Sequence, residues 1–161
     1  MLSADPAIVA DYAGGAVAHA IGAARALMMS ALEEELTARE PINSERDAGK
    51  FLRTLIGFRS DELLIVIFLD SRRRLIDYEV VSMGTADSVE CDLRRIVFRA
   101  IGRGAHGIIV AHNHPSGDPR PSSSDISVSR RLVDTARGVG ISVIDHLVVA
   151  GGDVRSAMFS S

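Results

Sequence analysis

The chain has 161 residues, 18 Lys and Arg against 21 Asp and Glu, a formal net charge of −3 and 47% hydrophobic residues. That length suits one domain with a real core, and the hydrophobic share excludes a disordered chain. The mild acidity means that nothing global advertises a nucleic-acid or anionic-membrane partner, and a single cysteine, Cys91, excludes an intramolecular disulfide or a Cys-rich zinc site.

Asp5 and Asp11 interrupt the N-terminal apolar residues, so no secretory leader is read there, and no stretch approaches the length of a membrane span. The expectation is a soluble, cytoplasmic protein without a membrane partner. Residues 6–39 are rich in alanine, and Gly14-Gly15 is expected to separate two helical pieces. Between Ala16 and Ala38, Ile21, Ala24, Leu27, Met28, Ala31, Leu32 and Leu36 recur at helical spacing, an amphipathic pattern with Glu33-Glu34-Glu35 near its polar side. Met28-Met29 reads as core filling. Pro41 ends the region, and Asn43 or Ser44 is expected to cap a short helix through Leu55.

Glu62–Leu69 is a short continuous apolar run, the pattern of a strand buried on both faces. Asp70–Arg73 reads as a turn and Leu75–Met83 as the antiparallel partner, with Gly84-Thr85 closing the hairpin region. Leu93–Ile101 has a helical pattern stopped at Gly102 and Gly104, and His106–His112 is the next strand. Asp125–Arg137 reads as a helix with Ile126, Val128, Leu132, Val133 and Ala136 facing inward, and Ile141–Val149 as the last clear strand, before a turn at Gly151-Gly152. Seventeen of the basic residues are arginine, since Lys50 is the only lysine; Arg72–Arg74, Arg94-Arg95 with Arg99 and Arg103, and Arg130-Arg131 read first as solvated faces, with anion binding the alternative. The order predicts a layered α/β or α+β domain with a mixed sheet, in which residues 106–149 form a strand-helix-strand crossover with parallel strands.

Chemistry concentrates in His112-Asn-His114-Pro-Ser-Gly-Asp-Pro-Arg-Pro-Ser122-Ser-Ser-Asp125. Side chains alternate along a strand, so His112 and His114 point the same way at the end of an apolar run. The Pro/Gly segment is a loop, and Ser122-Ser-Ser-Asp125 opens a helix. Two nitrogens and one carboxylate oxygen are the ligand set of a hydrolytic zinc ion with its fourth position open. Ser122-x-x-Asp125 reads equally as a capping-box variant. His19, His106 and His146 each read as an ordinary surface or core histidine.

His112-x-His114-Pro115 followed by Ser122-x-x-Asp125 resembles the JAMM signature of the JAB/MPN metalloprotease-like domains. The fuller string through Pro121-Ser122, with Asp145-His146-Leu-Val-Val, is similar to the bacterial RadC branch, and the likeness covers roughly Ile42 to Gly152. Residues 21–36 resemble the end of the helix-hairpin-helix segment that precedes this domain in longer RadC chains. The resemblance implies a cytidine-deaminase-like mixed sheet flanked by helices over residues 41–161, after a helical extension over residues 1–40 too short for that whole module. It implies that His112, His114 and Asp125 hold Zn²⁺ and activate water. Glu62, before the first strand, would take the water's proton and pass it to the leaving amine; spacing alone does not select it over Glu79 or Glu90. Ser122 would donate to the oxyanion of the tetrahedral intermediate. As a ligand, Asp125 is not expected to close the capping box well. One departure stands out: the family's Pro-Arg-Glu before the helix near residue 95 is Leu93-Arg94-Arg95 here.

The leading expectation is therefore a zinc hydrolase acting on a peptide, isopeptide or related amide, with a homodimer entertained. The rivals are a DNA-repair-associated nucleic-acid or nuclease module and a non-catalytic MPN scaffold. His-Asn-His is not the dispersed motif of HNH nucleases, and the H-x-E and P-C-x-x-C elements of the zinc deaminases are missing.

Overall fold

The computed structural model describes residues 6–37, 41–42, 45–84 and 93–158. One helix, α1 (Pro6–Thr37), runs through Gly14-Gly15, where a break was expected. A Cβ at Gly15 would meet nothing within 4 Å, so no packing contact demands a kink. The alanine-rich flanks outweigh the roughly 1 kcal/mol that each interior glycine costs. Alanine on every side also leaves the periodicity without a unique inward face. Leu27 and Met28 from the expected apolar stripe are exposed, while Met29 packs on the core. Arg25 anchors the helix, its Nη2 donating to the carbonyl of Leu55 at 2.9 Å.

Helix α2 (Glu45–Ile56) follows; the expected caps Asn43 and Ser44 lie outside the described residues. Strand β1 (Glu62–Leu69) is buried from Leu63 onward and pairs antiparallel with β2 (Leu75–Gly84). Between them, Asp70 Oδ1 accepts from the backbone N–H groups of Arg72 and Arg74, and Arg73 adopts φ 60°. After α3 (Leu93–Gly102), β3 (Gly107–Asn113) pairs antiparallel with β1. Helix α4 (Ser123–Arg137) then leads to β4 (Ser142–Ala150), parallel to β3 as the crossover predicts. A short antiparallel strand, β5 (Asp153–Ser156), goes beyond the strands read from sequence. The sheet order is β2-β1-β3-β4-β5.

Period-two alternation along β1 divides the core. Leu63, Ile65, Ile67 and Leu69 join α2 and Ile42 on one face, with Ile109 and Ala111 of β3. Leu64, Val66 and Phe68 join α3 and α4 on the other, with Ile108 and Val110. The next residue of that second set on β3 is His112. On α4 the buried residues are Ser129, Leu132 and Ala136. Val128 packs on the same core, whereas Ile126 and Val133, expected inward, line a groove with Met158. Two register shifts between β1 and β2 set Val66 opposite Glu79 and Phe68 opposite Asp77. These carboxylates meet α3 side: Arg103 donates to Asp77 at 2.8 Å and to Glu79 at 2.9 Å, and Arg99 also pairs with Glu79. Two arginines of the expected solvated cluster are thus held in ion pairs. Among the described residues, no helix is long and apolar enough to cross a membrane.

Candidate metal centre

The last two residues of strand β3 and the residue after it organise the site. His112 is buried, and His114, just past the strand, is partly so. Between them Asn113 points to the other face. Its side chain accepts from Leu63 N–H at 2.8 Å and donates to the carbonyls of Asp61 at 3.0 Å and Arg59 at 3.3 Å. That amide fixes the entry of β1, the segment that carries Glu62, to the histidine strand.

His112 Nε2 lies 3.0 Å from His114 Nε2 and 3.2 Å from Asp125 Oδ1. Four ligands placed tetrahedrally at zinc–nitrogen distances of about 2.0–2.1 Å are separated by about 3.3 Å. The two separations from His112 are close to that spacing, and His114 Nε2 lies 3.6 Å from Asp125 Oδ2. Among the described residues these three side chains are the cluster able to hold a metal.

Hydrogen bonding sets the polarity of both rings. His114 Nδ1 lies 2.8 Å from the Asp118 carbonyl, which can only accept, so this nitrogen carries the proton and Nε2 presents its lone pair. Asp118 is in turn held by Arg120, whose guanidinium lowers the carboxyl to about 2. His112 Nδ1 is 3.0 Å from His146 Nε2, and His146 Nδ1 is 2.6 Å from Ser129 Oγ. Burial, with the field of His112 added, pushes the His146 imidazole down to about 4, so it is neutral at pH 7. Two bare nitrogens at 3.0 Å, beside a carboxylate oxygen, repel one another unless a cation or a proton lies between them.

Asp125 reconciles two readings that the sequence set against each other. Its Oδ2 closes the capping box, accepting from Ser122 N–H at 2.7 Å and from Ser122 Oγ at 2.6 Å, while Asp125 N–H donates to Ser122 Oγ at 3.1 Å. Its Oδ1 faces His112 Nε2 at 3.2 Å, while His114 Nε2 lies 3.6 Å from Oδ2. The capping box is closed through one carboxylate oxygen, Oδ2, and does not engage Oδ1. Burial on its own would raise this carboxyl; the His112 ring and the Ser122 hydroxyl outweigh it and hold it well below the usual range. Ser122 directs its proton at Asp125 Oδ2, so as an oxyanion donor it would first turn away from that oxygen.

Glu62 is half-buried and does not join the three-ligand cluster. It is two residues before Leu64, which pairs with His112, so alternation sets it on the histidine face at the same end of the sheet. Glu79 is engaged by Arg99 and Arg103. Glu90 lies outside the described residues.

Comparison with known proteins agrees with this geometry. The profile of the RadC-like JAB domain matches residues 42–160. The chain belongs to the RadC-like JAB domain family. A UPF0758 protein of Marinobacter nauticus is 37% identical to it over 136 residues, 84% of this chain and 61% of that protein. A UPF0758 protein of Symbiobacterium thermophilum is 42% identical over 118 residues, covering 73% of this chain and 50% of the relative. A third, of Alcanivorax borkumensis, is 36% identical over 159 residues. The RadC-like chain spans about three fifths of the Marinobacter relative's length. Its five-stranded mixed sheet flanked by helices agrees with a JAB-like fold, and its His112, His114 and Asp125 can hold a metal ion.

Sequence reasoning missed His146 and Asn113. His146 was set aside as an ordinary histidine; the signal that could have found it is the β3–β4 pairing, which sets Val110 opposite His146, next to His112. Asn113 was read only as the letter between two histidines.

Proposed function

We propose that this RadC-like domain is a zinc-dependent hydrolase of the JAMM type, cleaving a peptide, isopeptide or related amide bond. The observation that carries the reading is the cluster of His112, His114 and Asp125, in which His112 Nε2 lies 3.0 Å from His114 Nε2 and 3.2 Å from Asp125 Oδ1. Held by His112, His114 and Asp125, the ion supplies Lewis acidity and lowers the pKa of water. Glu62, on the same sheet face, takes the water's proton and returns it to the leaving amine. Ser122 swings its hydroxyl proton from Asp125 Oδ2 toward the oxyanion, while its oxygen keeps the Asp125 N–H. The Asp118 carbonyl and His146 occupy the Nδ1 positions of His114 and His112, which leaves the Nε2 atoms toward the ion.

The partner in this reading is an extended peptide or isopeptide. The nucleic-acid alternative draws less support, since Arg99 and Arg103 are held by Glu79 and Asp77. The test is metal analysis joined to a hydrolysis screen. Purified protein is expected to carry about one zinc per chain, and His112→Ala to carry none; equal zinc in both would remove the metal assignment. Glu62→Gln is expected to retain zinc and lose hydrolysis, and turnover at the wild-type rate would assign the base to another residue.

A further inference from the structure

We propose that His146 and Ser129 are positioning residues for the metal centre, forming a buried relay that fixes the tautomer of His112 and ties its strand to the helix bearing Asp125. The inference rests on the metal-site reading above, but concerns residues outside the ligand set. The relay runs from His112 Nδ1 to His146 Nε2 at 3.0 Å, from His146 Nδ1 to Ser129 Oγ at 2.6 Å, and from Ser129 Oγ to the Asp125 carbonyl at 2.6 Å. It begins on one ligand and ends on the backbone of another.

Its direction follows from counting protons. The Asp125 carbonyl can only accept, so Ser129 spends its single proton there. Ser129 Oγ must then accept from His146 Nδ1–H, which leaves His146 Nε2 bare. That nitrogen can only accept from His112 Nδ1–H, and His112 Nε2 is left as a lone pair facing His114 and Asp125. The opposite tautomer of His112 would set its Nε2–H toward the ligand cluster and break a link of the chain. Water does not readily substitute for these partners: His112, Ser129 and His146 are 4%, 2% and 1% exposed.

The backbone of β4 is shaped to deliver His146. Val143 packs on the α3 and α4 side, and strict alternation would next set Asp145 on that side. The β3–β4 register instead shifts at Ile144, pairing Ile108 with Val143 but Ile109 with Asp145. This bulge turns Asp145 to the α2 face, where it accepts from Ser156, and turns His146 to the ligands.

A buried histidine that merely stabilised the fold would satisfy the same burial, so the test reads the metal and the tautomer. Zinc affinity is measured by competition with a chromophoric chelator. The protonated nitrogen of His112 is read in the metal-free protein by multiple-bond ¹H–¹⁵N NMR, and cooperative melting shows that each variant folds. His146→Leu is expected to weaken zinc binding about 10- to 100-fold, as loss of a partner to a ligating histidine does, and to shift His112 toward its Nε2–H form. His146→Gln keeps an acceptor for His112 Nδ1–H and is expected to recover most of the affinity. Ser129→Ala is expected to reproduce the defect in milder form and Ser129→Thr to restore it, which decides the matter if His146→Leu does not fold. Wild-type zinc affinity and an unchanged His112 tautomer in folded His146→Leu or Ser129→Ala would overturn the relay while leaving the metal site intact. A wild-type protein that binds no zinc would instead overturn the hydrolase reading, and the NMR arm would still decide whether the relay sets the tautomer.

Discussion

Asp125→Asn separates the two jobs of one carboxylate. The amide oxygen can take over the capping bonds that Asp125 Oδ2 accepts from Ser122 N–H and Oγ. The other position, 3.2 Å from His112 Nε2, becomes an NH₂ group that cannot ligate a cation. Four-ligand zinc sites bind with about 10–16 kcal/mol, so one ligand's share is about 2.5–4 kcal/mol, a loss of roughly 10²- to 10³-fold in affinity. Thermal melting with and without zinc reads this, each variant serving as its own reference. At free zinc of about 1,000 times the wild-type Kd the ion adds about 4 kcal/mol, which raises Tm by about 8–16 °C in a chain of this size. For Asp125→Asn the same zinc is only about 1–10 times Kd, worth about 0.4–1.4 kcal/mol and a shift of about 1–6 °C. An undiminished zinc shift in Asp125→Asn would refute ligation by Asp125, and the cluster would then be a hydrogen-bonded helix cap beside two histidines.

Glu79→Ala distinguishes the proposed base from its nearest rival. Losing the pairs with Arg99 and Arg103, all partly buried, is expected to lower stability by about 1–2 kcal/mol in denaturant titration while leaving zinc affinity and turnover unchanged; lost turnover with zinc retained would move the base from Glu62 to Glu79. Asp145→Asn tests the far side of the β4 bulge. Burial raises this carboxyl despite bonds from Ser156 and the His146 backbone, so the folded state holds its proton more tightly than the unfolded state. Wild-type stability from this group is full below about 3.8 and falls as pH rises through the raised value. The asparagine keeps an acceptor and removes the buried charge, so its stability relative to wild type is expected to grow over that window; a constant difference between the two proteins, measured by denaturant titration from pH 3.5 to 7, would show that Asp145 does not titrate this way.

The legible parts of this chain are those where one local rule acts alone. The β1 run has no polar residue to place after Glu62, so it could only be a strand covered on both faces. His112 and His114 share a face by alternation, and the Pro/Gly loop before Ser122 could only return the chain to a helix start. Where two rules compete, the sequence is silent. Alternation from Val143 favours Asp145 for the α4 face, and only the register shift against β3, a property of the pair of strands, brings His146 there instead. β5 has four residues, too few for a periodic signal, and exists because β4 offers it an edge. Helix α1 continues through Gly14-Gly15 because local helix propensity, summed over its alanines, exceeds the cost of two glycines. For Glu62 the residues alone left Glu79 and Glu90 open. In the structure Glu79 is held in ion pairs, Glu62 lies on the histidine face, and Glu90 is outside the described residues.

A helix N-terminus is an unfavourable neighbour for a cation, because its free N–H groups carry roughly half a positive charge. The structure meets this difficulty with Asp125, the acidic member of the cluster that could hold a metal. Asp125 Oδ2 takes the Ser122 N–H and hydroxyl, and Ser122 Oγ takes the Asp125 N–H, so the donors nearest the site are already satisfied. The negative charge lies between the helix terminus and the imidazoles, with Oδ1 toward His112. The capping box is therefore compatible with ligation in this fold, since it leaves Oδ1 facing His112. It turns an end of α4 that would repel a metal into one that offers it a carboxylate, and it does so at the position where β3 has brought two oriented nitrogens. Asn at 125 preserves the cap but withdraws the charge, whereas Ala would withdraw both, so the alanine variant must bind zinc no better and fold less well. Weakened zinc binding in the well-folded Asn variant separates a carboxylate that merely caps a helix from one that also holds an ion.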